Sequence, residues 1–176
     1  DLCGQDCRQP LYRLFGGLRR RSVNYFWYLA RTTVEDVAAQ ARRGVERGYS
    51  VFYLKVGLEV EEELRMVAAL RETIGPTRKI RIDANGAWSA NEAVRHLAEF
   101  DRYRIDFAEQ PVWPDPIRNM VELRRRTPVA LAANEGLWRV HDVYEVIRQR
   151  AADVLCFSSP WVGTLAGFQR LSHLAH

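Results

Sequence analysis

Lys79-Ile80-Arg81-Ile82-Asp83 is a short apolar run that ends in a carboxylate, and the pattern recurs along the chain. Residues 105–109 repeat it and end in Glu109, 26 residues after Asp83. A run that starts at Val129 leads to Glu135, another 26 residues on, and residues 51–55 end in Lys55, 28 residues before Asp83. One β-strand with its returning helix takes about this many residues, so these polar strand ends are predicted to share one rim of a parallel sheet.

Six such βα units can be traced. Apolar residues at helical spacing follow each apolar run, and Ser89 with Glu92 three residues later predicts a capping box on the helix after the third strand. The predicted strands are residues 23–30, 51–54, 79–83, 105–109, 129–133 and 153–157. The mostly apolar strands indicate a parallel sheet covered by helices.

Two folds of this class compete. An open doubly wound sheet would place a glycine-rich phosphate loop after the first strand, and none is present. Evenly spaced functional residues on successive strand ends favour the (β/α)₈ barrel. A closed barrel takes about 250 residues and eight strands, whereas this chain has 176 residues and no initiating methionine. We therefore predict an α/β fold, a partial (β/α)₈ TIM barrel of about six βα units without the last strands.

Composition excludes several classes of function. The net charge is +4, but acidic residues are interleaved with the arginines, so no basic stripe for nucleic acid forms. No apolar run reaches the roughly 18 to 20 residues that a membrane span needs. The three cysteines are too few for a disulfide framework and too isolated for a zinc pattern. We expect a cytoplasmic protein that binds neither nucleic acid nor membrane.

The strand-end side chains suggest metal-assisted chemistry. Taken singly, each acid suits a helix cap or an arginine partner, but Asp83, Glu109 and Glu135 in register would repel one another without a cation. Their hard oxygen atoms suit Mg²⁺, with Mn²⁺ as the other choice. Lys55 beside that ion would have a lowered pKa and could act as a general base on the proton α to the carboxylate of a small substrate.

Four segments carry a resemblance to a known family. They are Tyr53-Leu54-Lys55-Val56-Gly57, Arg81-Ile82-Asp83-Ala84-Asn85-Gly86-Ala87-Trp88-Ser89, Ala108-Glu109-Gln110-Pro111-Val112 and Asn134-Glu135-Gly136. In this order they resemble the barrel domain of the enolase superfamily, in the mandelate racemase and muconate lactonizing enzyme group, and lean towards its muconate cycloisomerase-like branch.

The resemblance implies an organisation and a chemistry. Residues 1–17 would be the tail of a capping-domain helix and its linker, and residues 18–176 an incomplete barrel domain without the N-terminal capping domain. Asp83, Glu109 and Glu135 would bind Mg²⁺, and Lys55 would handle the α-proton through an enediolate. The full-length protein would be a homo-oligomeric isomerase or lyase, such as a cycloisomerase, epimerase or dehydratase.

The sequence departs from the family at two positions. The usual Lys-x-Lys is here Tyr53-Leu54-Lys55, and Ser158 stands where strand six often carries a second lysine or an aspartate. Serine without an adjacent base is a poor proton acceptor, so one-base chemistry is favoured over two-base racemisation. Tyr53, Asn85 and Ser158 are the predicted substrate-pocket residues. The alternatives are an inactive or truncated member that keeps the scaffold and metal site, and a metal-dependent aldolase or hydrolase.

Tryptophans follow the third to sixth strands closely. They either line the mouth of the pocket or pack the loops against the barrel. They are Trp88, Trp113, Trp138 and Trp161.

Overall fold

The computed structural model describes residues 2–158 and 162–175. Six strands form one sheet in which each strand pairs in parallel with the next along the chain. The strands are β1 (Trp27–Leu29), β2 (Val51–Lys55), β3 (Lys79–Asp83), β4 (Ile105–Glu109), β5 (Leu131–Ala133) and β6 (Val154–Leu155). An order that never reverses is that of a barrel wall and differs from a doubly wound sheet. The predicted α/β fold class, a partial (β/α)₈ barrel of six units, is confirmed.

Helices connect the strands. They are α1 (Leu2–Asp6), α2 (Leu11–Leu14), α3 (Val34–Glu46), α4 (Val60–Ile74), α5 (Ala90–Asp101), α6 (Arg118–Arg126), α7 (Val140–Arg148) and α8 (Leu165–Ala175). The predicted capping box of α5 is present, since Ser89 and Glu92 exchange bonds between side chain and backbone. In the described residues, no helix combines the length and apolar character that a bilayer crossing requires.

Alternation along the strands separates the core from the site. Phe52 and Leu54 are fully buried on the helix side, and a Cβ on Gly44 of α3 would approach the Phe52 ring to 2.6 Å. Successive side chains of a strand point to opposite faces. Tyr53 and Lys55 consequently point to the inner face of the barrel wall. The apolar contacts behind the sheet fix the strands that carry the polar rim.

The structure differs from the sequence-based prediction at the edges of the sheet. β1 covers Trp27–Leu29 rather than residues 23–30, and β6 covers Val154–Leu155 rather than residues 153–157. β1 and β6 lie at the two edges of the described sheet and each pairs with one neighbour, so fewer of their residues form β-ladder hydrogen bonds than in a central strand. Tyr25 and Phe26 precede β1 as exposed residues. The short helix α2 was not predicted, and the division at residues 17 and 18 stays a prediction.

Candidate functional site

The strand register brings the predicted catalytic and metal-binding residues to one level. Lys55 on β2 is the register partner of Asp83 on β3, and Asp83 is the partner of Glu109 on β4. Glu135 lies two residues beyond the end of β5, in the loop on the same rim. Because parallel strands end at the same edge, three neighbouring strands and one loop supply these four groups.

Asn85 links the lysine to the third carboxylate. The Lys55 Nζ donates to Asp83 Oδ2 at 2.5 Å and to Asn85 Oδ1 at 2.7 Å. The amide nitrogen of the Asn85 side chain donates to Glu135 Oε1 at 2.7 Å. Its backbone N–H donates to Asp83 Oδ1, with φ at +48°, in the left-handed region that asparagine tolerates. Asn85 thus connects Lys55, Asp83 and Glu135 through polar contacts, and its role in the substrate pocket stays a prediction.

Tyr53 lies between two of the carboxylates. Its hydroxyl is 2.5 Å from Asp83 Oδ2 and 3.1 Å from Glu109 Oε2. Its ring stacks against Phe26, with centroids 4.7 Å apart, and against Tyr28 at 6.2 Å. Burial raises the pKa of Tyr53 far above its ordinary value, and the two acids act in the same direction. The side chain is therefore a neutral hydroxyl that serves as a hydrogen-bond donor.

The inner face concentrates negative charge. Asp83 is 1% exposed and Glu109 is 7% exposed. Burial is the main cause that raises the pKa of Glu109, and the charge of Asp83 adds to it, while Tyr53 and Lys55 oppose the increase. Two neighbouring buried carboxylates need a positively charged group close to them.

Cys156 is a site residue that the sequence did not reveal. Burial, together with the nearby carboxylate of Glu109, raises the pKa of the Cys156 thiol to about 12. The cysteine is a neutral donor facing the carboxylates, although its sequence context resembles that of an ordinary packing residue. No spacing rule points from an isolated cysteine to a partner 47 residues away.

Gln110 was also missed. It is 1% exposed, its Oε1 accepts the backbone N–H of Asn134, and its Nε2 donates to the carbonyl of Val112. These bonds join the loop after β4 to the loop after β5 and so position Glu135. Within the described residues, the Ser158 hydroxyl makes no hydrogen bond to the other predicted site residues. Ser158 follows β6 as a half-buried residue.

The tryptophans divide into two roles. Trp88 is buried and stacks on Phe100, so it packs a loop against the barrel. Trp113 and Trp138 line a cavity of about 570 Å³ beside Glu135, between the β4 and β5 loops and the helices α6 and α7. Trp161 lies outside the described residues.

A divalent cation suits the donor chemistry of this site but not its present contacts. In residues 2–158 and 162–175, no group of three His, Cys, Asp or Glu side chains is arranged to hold a metal ion as it stands. Tyr53, Lys55 and Asn85 occupy the oxygens that an ion would use. The chemistry nevertheless suits a hard cation, because the donors are carboxylates and the buried Oε2 of Glu135 has no hydrogen-bond partner among the described residues. Cation binding requires these side chains to exchange their present partners.

Comparisons with known proteins agree with this geometry. A family model described as "Enolase C-terminal domain-like" matches residues 36–176. The N-succinyl-L-Arg/Lys racemase of Bacillus cereus is 32% identical over 177 residues, which cover 99% of this chain and 48% of that protein. The muconate cycloisomerase 1-1 of Acinetobacter lwoffii is also 32% identical, covering 99% of this chain and 46% of that protein.

A solved structure gives the same result at the level of the fold. The dipeptide epimerase from Enterococcus faecalis V583 superposes with a TM-score of 0.93 at 26% identity, over 98% of this chain and 50% of that chain. This chain spans about half the length of the relatives that it matches.

Proposed function

The chain belongs to the enolase C-terminal domain-like family, and on that premise we propose that its site removes the proton α to the carboxylate of a small organic acid. The family match and the relatives confirm the resemblance to the mandelate racemase and muconate lactonizing group. Those relatives are racemases, epimerases, cycloisomerases and a dehydratase. Racemisation, epimerisation and dehydration of a carboxylic acid can each proceed through loss of its α-proton.

The observation that carries the proposal is the register of Lys55, Asp83 and Glu109 on three adjacent strands. The lysine side chain is one-third exposed, so its amine reaches the open side of the rim while Asp83 lies beneath it. In this proposal Asp83, Glu109 and Glu135 would hold Mg²⁺ or Mn²⁺. When bound, the ion would neutralise the negative charge that develops on the substrate carboxylate as the enediolate forms.

Lys55 is proposed as the base. Its amine donates hydrogen bonds to Asp83 Oδ2 and to the side-chain amide oxygen of Asn85, and these two bonds fix its position on the rim. A base has to be neutral when it accepts the α-proton. Asn85 then orients the amine without adding charge.

The chemistry is proposed to use one face of the substrate. Two-base racemisation needs a second proton acceptor, and Ser158 is a serine without a hydrogen-bonded base among the described residues. The relatives' names set the first substrates to examine: N-succinylated arginine and lysine, and hydrophobic dipeptides. Cycloisomerisation and elimination of water can use one face and are distinguished by product, whereas epimerisation requires the proton to return from the opposite face.

The test is solvent deuterium exchange at the α-carbon of that panel, with Mg²⁺ present. Lys55→Ala is expected to reduce exchange by roughly 10²- to 10⁴-fold, the usual contribution of a general base. Lys79→Ala is the matched control, because Lys79 is the other lysine of the chain and pairs with Asp106 at the opposite end of β3. Exchange that survives in Lys55→Ala at the wild-type rate would remove Lys55 from this role.

A second candidate is a non-catalytic member that keeps the scaffold and the cation site. The lack of a second base at Ser158 and the tyrosine at position 53 favour it. It predicts cation binding without exchange on any substrate of the panel, and no gain of exchange when lysine is restored by Tyr53→Lys and Ser158→Lys together. Exchange by the wild-type chain would exclude it.

A further inference from the structure

We propose that the Tyr53 hydroxyl competes with the divalent cation for Asp83 and Glu109, so that this residue sets the affinity of the site for the ion. The inference rests on the proposed function, because it concerns the same carboxylates. It assigns to the tyrosine a role distinct from substrate contact: a positioning residue that holds the two acids together when no cation is bound.

The contacts of the hydroxyl carry the inference. Its oxygen lies within hydrogen-bond distance of Asp83 Oδ2 and Glu109 Oε2, and these two acids belong to different strands. A phenol has one proton to donate, yet it bridges two acceptors. The bridge uses carboxylate oxygens that a hard cation would need as ligands. One of the two occupants therefore has to leave the space between Asp83 and Glu109.

The aromatic neighbours keep the tyrosine in this place. Phe26 stacks on one side of the Tyr53 ring and Tyr28 lies nearly parallel to it, while the tyrosine itself is 7% exposed. Stacking against these two rings favours the observed orientation of the Tyr53 side chain. The Tyr53 hydroxyl thus stays between Asp83 and Glu109, where it competes with a cation for their oxygens, and does not move freely into solvent.

Together with the contacts of Lys55 and Asn85, this bridge accounts for the lack of a ready metal cluster in the described residues. The hydroxyl supplies one hydrogen-bond donor that Asp83 and Glu109 share, and it leaves their negative charge in place. The acids are consequently held close together, with their negative charge still available to a cation. Removal of the hydroxyl should free ligand atoms without altering that charge.

The expected effect follows from the strength of such bonds. One hydrogen bond to a charged group corresponds to roughly a ten- to hundredfold change in an equilibrium constant. Tyr53→Phe, which keeps the ring and its stacking, should therefore raise the affinity for Mg²⁺ and Mn²⁺ by about tenfold or more. The same change should lower the thermal midpoint of the metal-free chain, because Asp83 and Glu109 lose the hydrogen-bond donor that they share.

The experiment is isothermal titration of the 176-residue chain with MgCl₂ and with MnCl₂, beside thermal unfolding without metal. Tyr28→Phe is the matched control, since it removes a half-exposed hydroxyl from a ring stacked on the same side chain. The control should bind as the wild type does. A purely structural role would lower stability and affinity together, so the opposite signs in Tyr53→Phe distinguish competition from support.

A second measurement uses the wild-type protein and does not depend on the variant folding. Saturation with Mg²⁺ should change the tyrosine ultraviolet absorbance, because the Tyr53 hydroxyl loses its carboxylate acceptors. Equal or weaker metal binding by a folded Tyr53→Phe would overturn the inference while leaving the proposed function intact, and so would saturation without a spectral change. Lack of metal binding by both wild type and variant would refute the cation site and this inference with it.

Discussion

Glu63 is expected to stabilise the loop that follows the lysine strand. This carboxylate, in the first turn of α4, is 1% exposed and accepts the backbone N–H groups of Gly57 and Leu58, each at 2.9 Å. It also pairs with Arg31 at 3.3 Å, which joins the segment after β1 to the segment after β2. Lys55 lies two residues before this loop, so the contacts of Glu63 stabilise the backbone next to the site.

The cost of Glu63→Ala can be worked from these contacts. A hydrogen bond to a charged group contributes about 1.5–3 kcal/mol, but the exposed Leu58 amide can turn to water and Arg31 is partly solvated. We expect a loss of about 2–4 kcal/mol in the free energy of unfolding. For a chain of this size that lowers the thermal midpoint by roughly 5–15 °C.

Urea unfolding of the wild type, Glu63→Ala and Glu61→Ala tests this expectation. Glu61 is an exposed acid in the same helical turn, so its loss removes a similar favourable interaction with the helix dipole, about 0.3–1 kcal/mol, and no loop contact. Hydrogen exchange at the Gly57 amide should rise in Glu63→Ala alone. Equal destabilisation by the two variants would show that the hydrogen bonds from Gly57 and Leu58 contribute nothing to stability.

Two further predictions concern stability. Burial acts to raise the pKa of Asp106, but hydrogen bonds from Lys79 and Arg81 outweigh it and the pKa lies below its ordinary value. The bonds from Lys79 and Arg81 to Asp106 thus stabilise the fold fully above pH about 4, and this contribution is lost as the pH falls through the pKa of Asp106 in the folded state. The loss of unfolding free energy caused by Asp106→Asn, measured by urea unfolding, should therefore become smaller in acid. A loss that does not change with pH would contradict this prediction. Ser89→Ala should cost about 1 kcal/mol, measured by the same method, because the cap that Ser89 and Glu92 form is lost, and an unchanged midpoint would show that the cap is dispensable.

Two of the central strands could be predicted from sequence with their correct ends. β3 and β4 match the predicted residues, because apolar runs bounded by polar residues are local signals, whereas β2 extends one residue further to Lys55 and β5 begins at Leu131 rather than at residue 129. The edges could not be predicted as well. Residues 23–26 look like strand by composition, but pairing decides strand length, and pairing is a property of neighbours in space.

The site, too, could be predicted from sequence only in part. Asp83, Glu109 and Lys55 could be placed together because equal spacing translates into register in a parallel sheet. The contacts of Tyr53 and Cys156 could not, because they depend on which side chains face the barrel interior at the same depth. A tyrosine in place of lysine was visible in the sequence, whereas its bridge between two acids required coordinates.

The most direct test of the account is the stoichiometry and affinity of Mn²⁺ binding, followed by electron paramagnetic resonance. The wild-type chain should bind one ion at a single tight site, and Asp83→Asn, Glu109→Gln and Glu135→Gln should each weaken it by at least about tenfold, because each removes one anionic ligand. Glu99→Gln, on the exposed face of α5, should bind as the wild type does. Unchanged affinity in any one of the three ligand variants would contradict a centre shared by these carboxylates.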